Sequence, residues 1–218
     1  MILIEEEAVK QTKIGFLMGA VKINAPYEIV LVGKIEERLM AGYEGEHIVL
    51  ELTKRQIGTC WLGTYSKDTL QSLCKINSEE EIFCVIALGI PYDGAFLNTT
   101  FRQMIGCQKR KTLEEIMMDK EVVVLNNLRH GKGIQEAIKS AIKAPSANNV
   151  QPWKVKVKEN GLEIYFKVSF ELDGGIFLTH LLEVLKENRI LYSWEKIEQS
   201  SQKEWVHCVN IHFNHQEK

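Results

Sequence analysis

The stretch Ala144-Pro145-Ser146-Ala147-Asn148-Asn149-Val150-Gln151-Pro152-Trp153 decides how this sequence is interpreted. It follows a segment of helical character, residues 134–143, and leads into an alternating, strand-like segment, residues 154–158. The two prolines fix φ and remove backbone donors, so the stretch cannot continue the helix and must be a shaped loop. Its hydroxyl and amide side chains both donate and accept hydrogen bonds. Such a loop suits a flat, neutral ligand with polar edges, and a capped helix end that turns into a strand fits the same residues.

Composition excludes several classes of protein. The chain has 218 residues, 45% of them apolar and 26% charged, and its net charge is -2, which gives no basic footprint for nucleic acid. No apolar run approaches the length of about 20 residues that a membrane-spanning helix needs. The five cysteines are scattered without a CxxC pair, and the histidines form no HExxH motif, so no metal site is expected. Reduced thiols in a cytoplasmic protein are the simplest interpretation.

Periodicity predicts a mixed set of helices and strands. Apolar residues at helical spacing indicate a helix over residues 42–56, with Gly58 as the glycine that ends it. Gly58-Thr59-Cys60-Trp61-Leu62-Gly63 is then predicted to be a glycine-bracketed loop. Asn160-Gly161 predicts a hairpin turn. Further helices are expected over residues 66–73, 112–117 and 177–188, and strands over residues 27–32, 82–88, 154–158 and 205–213.

The sequence nearly repeats itself. A proline followed by an aromatic residue precedes a predicted strand twice, at Pro26-Tyr27 and at Pro152-Trp153. Gly42, His47, Leu52, Ile57 and Trp61 recur 133 positions later as Gly175, His180, Leu185, Ile190 and Trp194, and Ile82, Cys84 and Val85 recur 124 positions later as Val206, Cys208 and Val209. Two related lobes, residues 1–125 and 126–218, are therefore expected to pack within one chain as a homodimer would.

The two predicted lobes differ where a ligand would bind. The first has the GTCWLG segment where the second has Leu191-Tyr192-Ser193-Trp194, and only the second has the proline-bounded loop. Each lobe thus keeps a different half of a site, which predicts one site per chain, between the lobes.

These segments resemble the FMN-dependent nitroreductase family. Ala144 to Trp153 is similar to the family's APSxxNxQPW motif, and Gly58 to Gly63 to its glycine loop. Ala87-Leu88-Gly89-Ile90-Pro91 resembles a family strand that ends in Gly-x-Pro, and residues 109–115 resemble its basic segment near the flavin phosphate. The order of the motifs differs from the usual one and resembles a divergent subgroup in which a single chain imitates the family's dimer.

The resemblance implies an α+β nitroreductase-like fold, with antiparallel or mixed sheets flanked by helices and two lobes forming an internal pseudo-dimer around one FMN. It implies an oxidoreductase that passes electrons from NAD(P)H through FMN to a nitroaromatic, quinone or similar acceptor, as a monomer or homodimer. No dedicated catalytic residue is expected. The implied FMN ligands are Pro145, Ser146, Ala147, Asn149 and Gln151 on the loop side, Thr59, Cys60, Trp61, Leu62 and Gly63 on the ring side, and Arg110 at the phosphate.

One departure keeps an alternative function open. The family begins with an arginine-rich motif that holds the phosphate, whereas the first arginine here is Arg38. The alternative is a degenerate nitroreductase-like protein, flavin-binding or flavin-free, without redox turnover.

Overall fold

The computed structural model describes residues 1–5, 7, 9, 16–17, 21–22, 25–91, 109–118, 125, 128, 130–197 and 204–214. The chain divides into two units, Met1–Thr100 and Phe101–Lys218. The lobe division at residues 125 and 126 stays a prediction, since Asn126 lies outside the described residues. No helix in the described part of the chain is both long and apolar enough to cross a membrane.

The first unit contains a four-stranded antiparallel sheet with helices. Its elements are β1 (Ile2–Ile4), β2 (Phe16–Leu17), β3 (Val21–Lys22), β4 (Tyr27–Gly33), a 3₁₀ turn (Ile35–Glu37), α1 (Arg38–Lys54), β5 (Gly58–Leu62), α2 (Lys67–Cys74) and β6 (Glu81–Gly89). The sheet order is β1-β4-β6-β5, and β2 pairs with β3 separately. A buried apolar cluster holds α2 against the sheet. Its members are Ile4, Val30, Leu62, Leu70, Ile82, Val85 and Ala87.

The second unit contains another four-stranded antiparallel sheet. Its elements are α3 (Leu113–Ile116), α4 (Gly131–Ala141), a 3₁₀ turn (Ala147–Asn149), β7 (Trp153–Lys158), β8 (Gly161–Lys167), α5 (Glu171–Glu187), β9 (Tyr192–Lys196) and β10 (Trp205–Phe213), with the sheet order β7-β8-β10-β9. Trp153, Phe166 and Phe177 are its largest fully buried side chains, and the Trp153 and Phe177 rings lie 5.0 Å apart. Helix α5 packs against the Phe166 ring through Gly174, where an added Cβ would come within 2.6 Å of ring carbons.

The two sheets share their strand order and their register. Tyr27 pairs with Leu88 in the first sheet. In the second sheet Gly161, which lies 134 positions after Tyr27, pairs with His212, which lies 124 positions after Leu88. The pairing of the edge strands β5 and β9 has the same two offsets. Gly58 lies opposite Gly89 in the first sheet, and Tyr192 lies opposite Phe213 in the second. Each central pair also carries a bulge, in the first sheet between Leu31 and Val32 and in the second between His207 and Val209. The backbone therefore repeats the same topology twice.

The observed repeat corrects one predicted equivalence. The strand after Pro152-Trp153 was expected to match the strand after Pro26-Tyr27. By sheet position and register, however, β8 is the counterpart of β4, and β7 is the counterpart of β1. The Pro-aromatic pattern misleads here because a proline precedes a strand at any turn that must stop the preceding element.

The long helices α1 and α5 end in the same way. In α1 the amide of Ile57 bonds the carbonyl of Leu52 at 3.0 Å and that of Gln56 bonds Thr53 at 2.9 Å, which is a Schellman motif. In α5 the amides of Ile190 and Arg189 bond Leu185 and Lys186 at 3.0 and 2.9 Å. The left-handed residues are Gln56 (φ 61°) and Arg189 (φ 55°). The prediction that Gly58 ends the first helix is therefore wrong, because a non-glycine residue two positions earlier takes that conformation.

The predicted glycine-bracketed loop is also wrong, because Gly58–Leu62 is strand β5. Gly58 is needed there for close approach, since a Cβ would lie 3.2 Å from the carbonyl oxygen of Gly89 and from Cγ of Pro91. The predicted hairpin between β7 and β8 is confirmed, but its turn is at Glu159 and Asn160 rather than at Asn160 and Gly161, because Gly161 is the first residue of β8 and pairs with Lys158. The last strand is confirmed at residues 205–213, and Leu178, Leu181, Leu182 and Leu185 of α5 are buried.

Gly161→Ala should destabilise the second sheet. A Cβ at this position would collide with the carbonyl oxygen of Ile211 on β10, which belongs to the backbone and cannot rotate away. We expect a loss of about 1–3 kcal/mol in the free energy of unfolding, measured by urea denaturation. Gly63→Ala is the matched control, since its Cβ would meet no described atom within 4 Å, and we expect a change of less than about 0.5 kcal/mol. Equal midpoints for the two variants would refute the assignment of a close approach at Gly161.

Candidate functional site

The loop between α4 and β7 adopts an uncommon backbone conformation. Asn148, Asn149 and Gln151 have φ values of 50°, 55° and 51°. Asparagine tolerates this left-handed region better than most residues, but glutamine has no such advantage. Val150 lies between them with ordinary helical angles, as the C-cap of the 3₁₀ turn Ala147–Asn149. Three left-handed residues within four positions indicate that contacts elsewhere hold the loop in this shape.

The basic segment Lys109-Arg110-Lys111 runs beside this loop. A capping box at its end starts α3, since the Thr112 hydroxyl accepts from the Glu115 amide at 3.3 Å and the Glu115 carboxylate accepts from the Thr112 amide at 2.7 Å. After α3, Met117 forms a parallel bridge with Val155 of β7, and the Met118 amide donates to the carbonyl of Val155 at 2.9 Å. The segment is therefore fixed to the same sheet that the loop enters.

The side-chain amide of Gln151 joins the loop to the basic segment. Its Oε1 accepts a hydrogen bond from the backbone amide of Lys111 at 2.7 Å, and its Nε2 donates to the carbonyl of Lys109 at 3.1 Å. Nε2 also lies 3.3 Å from the carbonyl oxygen of Asn149. Gln151 is buried, so these bonds satisfy a polar group that would otherwise be costly.

Asn149 and Arg110 form the second link. The Asn149 Nδ2 donates to the carbonyl of Lys109 at 2.9 Å, and its Oδ1 accepts from the Arg110 Nη1 at 2.7 Å. This bond to a charged donor fixes the direction of an exposed guanidinium. The structure thus brings together three of the predicted site residues, Arg110, Asn149 and Gln151, through contacts with one another or with one short segment.

Lys111 was not among the predicted ligands, yet it holds the loop backbone. Its Nζ donates to the carbonyls of Val150 and Gln151 at 3.1 and 2.7 Å. Partial burial, with the nearby charge of Lys154, lowers the pKa of the Lys111 ammonium. The sequence signal was the basic triplet, but nothing in it distinguishes Lys111 from Arg110 as the residue that binds backbone.

The first part of the loop is anchored differently. The Ser146 hydroxyl accepts from the Gln151 amide at 2.9 Å, and the Ala147 amide donates to Oδ1 of Asp173 at 2.7 Å. Asp173 is a buried carboxylate in the first turn of α5, and burial raises its pKa although the bond from Ala147 opposes that change. Pro145 is half-buried, whereas Ala147 is exposed. Sequence reasoning missed Asp173, because no pattern links it to a residue 26 positions away.

The predicted ring-side residues lie in the first unit, on or next to β5. Thr59, Cys60, Trp61 and Leu62 pair with residues of β6, and Gly63 follows the strand. The Trp61 indole donates to the buried carboxylate of Glu46 at 2.9 Å, and the ring packs over Gly45 of α1. Leu62 is buried, and Cys60 is half-buried with its sulfur 3.8 Å from the carbonyl oxygen of Trp61. Their contact with a flavin stays a prediction.

Other candidate chemistry is placed in structural roles. Trp153, which could have stacked on a ligand, is completely buried in the core. His207 stacks on Tyr165 with ring centroids 4.9 Å apart, and its Nε2 lies 2.8 Å from the Asn210 side chain. No group of three or more His, Cys, Asp or Glu residues within the described part of the chain could hold a metal ion.

Comparison with known families identifies the chain. The model of the family described as “Putative TM nitroreductase” matches residues 2–183. The chain belongs to this family. Family membership supports an oxidoreductase role, while it leaves the cofactor, the reductant and the acceptor of this chain to be assigned.

Two solved structures are similar to this member of the family. A protein from Thermotoga maritima, described as a “putative nitroreductase”, has 24% identity and a TM-score of 0.59, with 86% of this chain and 70% of that chain covered. This likeness shows the fold. A nitroreductase family protein from Clostridium novyi has 29% identity over 32% of this chain and 45% of that chain, with a TM-score of 0.30. A comparison with curated proteins gives no match.

Gln151→Ala should release the loop of this nitroreductase family member from its basic segment. The Lys111 amide would lose the acceptor at 2.7 Å, and the Lys109 carbonyl would lose one of its donors. We expect a loss of roughly 1–3 kcal/mol in the free energy of unfolding, and faster hydrogen exchange at the Lys111 amide. Gln135→Ala is the control, because it removes only a contact to exposed Lys139. Unchanged hydrogen exchange at the Lys111 amide in Gln151→Ala would contradict the assignment of Gln151 as the link between the loop and the basic segment.

Asp173→Asn should change how stability depends on pH. Because burial raises the folded-state pKa of Asp173 above 3.8, its ionisation disfavours the folded state, and stability falls as pH rises through that pKa. Asparagine keeps an acceptor for the Ala147 amide but does not ionise. We expect the variant to gain stability relative to the natural protein as pH rises from about 4 to 7, measured by urea midpoints. A constant difference between the two proteins would refute the argument.

Proposed function

We propose that this protein is an FMN-dependent oxidoreductase that takes electrons from NAD(P)H and passes them to a nitroaromatic, quinone or similar small acceptor. The observation that carries the proposal is the loop of residues 144–153, whose strained backbone is fixed to the basic segment by Gln151 and Asn149. When bound, FMN would supply the electron chemistry. The residues of this chain would bind the FMN and orient it.

The residues of the second unit fit the chemistry of FMN. The loop offers neutral hydroxyl and amide groups and the small, exposed side chain of Ala147, which suits the approach of a flat ring. Arg110 offers a planar cation whose direction is set by Asn149 at 2.7 Å, and such a fork matches phosphate oxygens. The proposed loop-side ligands are Pro145, Ser146, Ala147, Asn149 and Gln151, with Arg110 at the phosphate.

The contacts refine what each proposed ligand would do. Gln151 is buried and its amide is bonded to Lys109 and Lys111, so we assign it to positioning the loop. Asn149 orients Arg110. Pro145, Ser146 and Ala147 lie in the partly or fully exposed portion of the loop and are proposed to face the ring. The proposed ring-side residues, Thr59 to Gly63, lie on β5 of the first unit or directly after it.

One observation favours the alternative of a degenerate nitroreductase-like protein, flavin-binding or flavin-free, without redox turnover. The amides of Asn149 and Gln151 are bonded to residues of the chain itself, which is also what a purely structural loop would show. The absorbance spectrum of the purified full chain separates the two functions. A colourless protein that stays so after incubation with FMN and desalting would exclude the first. Bound flavin without oxidation of NADH or NADPH across several acceptors would support the second.

Arg110→Ala should weaken FMN binding. Removing one charge-assisted hydrogen bond costs about 1.5–3 kcal/mol, which corresponds to a rise in Kd of roughly 10- to 100-fold. The measurement is quenching of flavin fluorescence on titration with apoprotein. Arg55→Ala is the matched control, because Arg55 is an exposed arginine of the first unit paired with Glu51 at 3.1 Å. Equal Kd values for both variants would exclude Arg110 as a phosphate ligand.

A further inference from the structure

A groove runs along the second unit between the basic segment and the C-terminal half of α4. It has a volume of about 510 Å³, and its apolar floor is formed by Leu113 and Ile142, which are both buried. Its other lining residues are Arg110, Lys111, Thr112, Glu114, Gln135, Lys139 and Lys143. A groove of this size can hold part of a nucleotide-sized ligand.

The groove concentrates positive charge in a protein whose net charge is -2. Arg110, Lys111, Lys139 and Lys143 line it, and Glu114 is the one carboxylate among its lining residues. Cations gathered along a concave surface of low polarity raise the local concentration of anions. The apolar floor beside them suits a ligand that combines an anionic group with a flat or apolar part.

The four cations fall into two pairs with different contacts. Arg110 and Lys111 are bonded to the loop, through Asn149 and through the carbonyls of Val150 and Gln151. Lys139 and Lys143 are exposed and lie four positions apart, Lys139 in the last turn of α4 and Lys143 in the turn that follows the helix. The Lys139 Nζ donates to Oε1 of Gln135 at 2.8 Å. The second pair is thus placed to meet an anion that comes from solvent.

We infer that Lys139 and Lys143 bind the 2′-phosphate of NADP(H), so that this groove selects the phosphorylated nicotinamide nucleotide over NAD(H). The inference rests on the proposed function, which assigns a nicotinamide nucleotide as the reductant. A phosphomonoester carries a charge of about -1.5 to -2 at pH 7, which two ammonium groups match. The groove is open, and the Lys139 and Lys143 side chains are exposed, which suits a ligand that is exchanged in every turnover better than a resident cofactor.

The test is equilibrium binding of NADP⁺ and NAD⁺ to the full chain by calorimetry. These two probes differ only in the 2′-phosphate, and neither reduces an oxidised flavin. We expect NADP⁺ to bind at least about tenfold more tightly, with a preference that falls as salt is added. In the double variant Lys139→Gln/Lys143→Gln, the preference should fall below about threefold, while the Kd for NAD⁺ stays within twofold.

The matched control is Lys132→Gln/Lys186→Gln, which removes the same charge from exposed positions outside the groove and should keep the preference. Equal binding of both nucleotides to the natural protein, or a preference that survives loss of Lys139 and Lys143, overturns the inference. Weaker FMN binding in the groove variant, without a change for NADP⁺, also overturns it, because the groove would then serve the flavin. A protein that shows the NADP⁺ preference but binds no FMN refutes the proposed function and leaves the inference standing.

Discussion

The side-chain amide of Gln151 is the interaction on which the candidate site depends. It accepts from the Lys111 amide and donates to the Lys109 carbonyl, so it pairs with two backbone groups as a neighbouring strand would. Lys111 and Lys109 lie 40 and 42 positions before Gln151 in the sequence. Both of these hydrogen bonds are partly buried. Glutamine carries a neutral donor and a neutral acceptor on one planar amide group, which matches a backbone N–H and a backbone C=O. The position of Arg110 relative to the loop follows from this pairing.

The loop is held in a conformation that its own residues do not prefer. Left-handed angles at non-glycine residues cost about 1–3 kcal/mol each, and Asn148, Asn149 and Gln151 all adopt them. A typical hydrogen bond contributes about 0.5–1.5 kcal/mol, so the bond donated by Lys111 and the bonds accepted by Ser146 and Asp173 offset part of this strain. A loop ordered before a ligand arrives has less conformational entropy to lose on binding. The bonds that stabilise the loop therefore also prepare it for a ligand.

Sequence reasoning located the elements that local pattern dictates. The apolar stripe of α5, the strand at residues 205–213 and the hairpin after β7 all follow from periodicity and turn chemistry. It failed at β5, where two glycines suggested a loop. Gly58 is instead a strand residue, and its lack of a side chain leaves room for the close approach of Gly89 and Pro91. It placed Gln151 in the candidate site but did not predict its bond to the Lys111 amide, because hydrogen-bond partners 40 residues away leave no trace in a single sequence. The buried anchor Asp173 was missed for the same reason.

The duplicated topology bears on where the candidate binding residues of the second unit lie. The two sheets agree in strand order and register, and α1 and α5 end in the same Schellman geometry at Gln56 and Arg189. A change of register would move a strand's whole apolar set to the wrong face, so this frame tolerates little change. The loop at residues 144–152 lies outside the paired strands, and the segment at residues 109–118 joins the second sheet at Val155, through Met117 and Met118. Charged and amide groups could accumulate there without disturbing either sheet, which is why fold similarity alone does not assign the site.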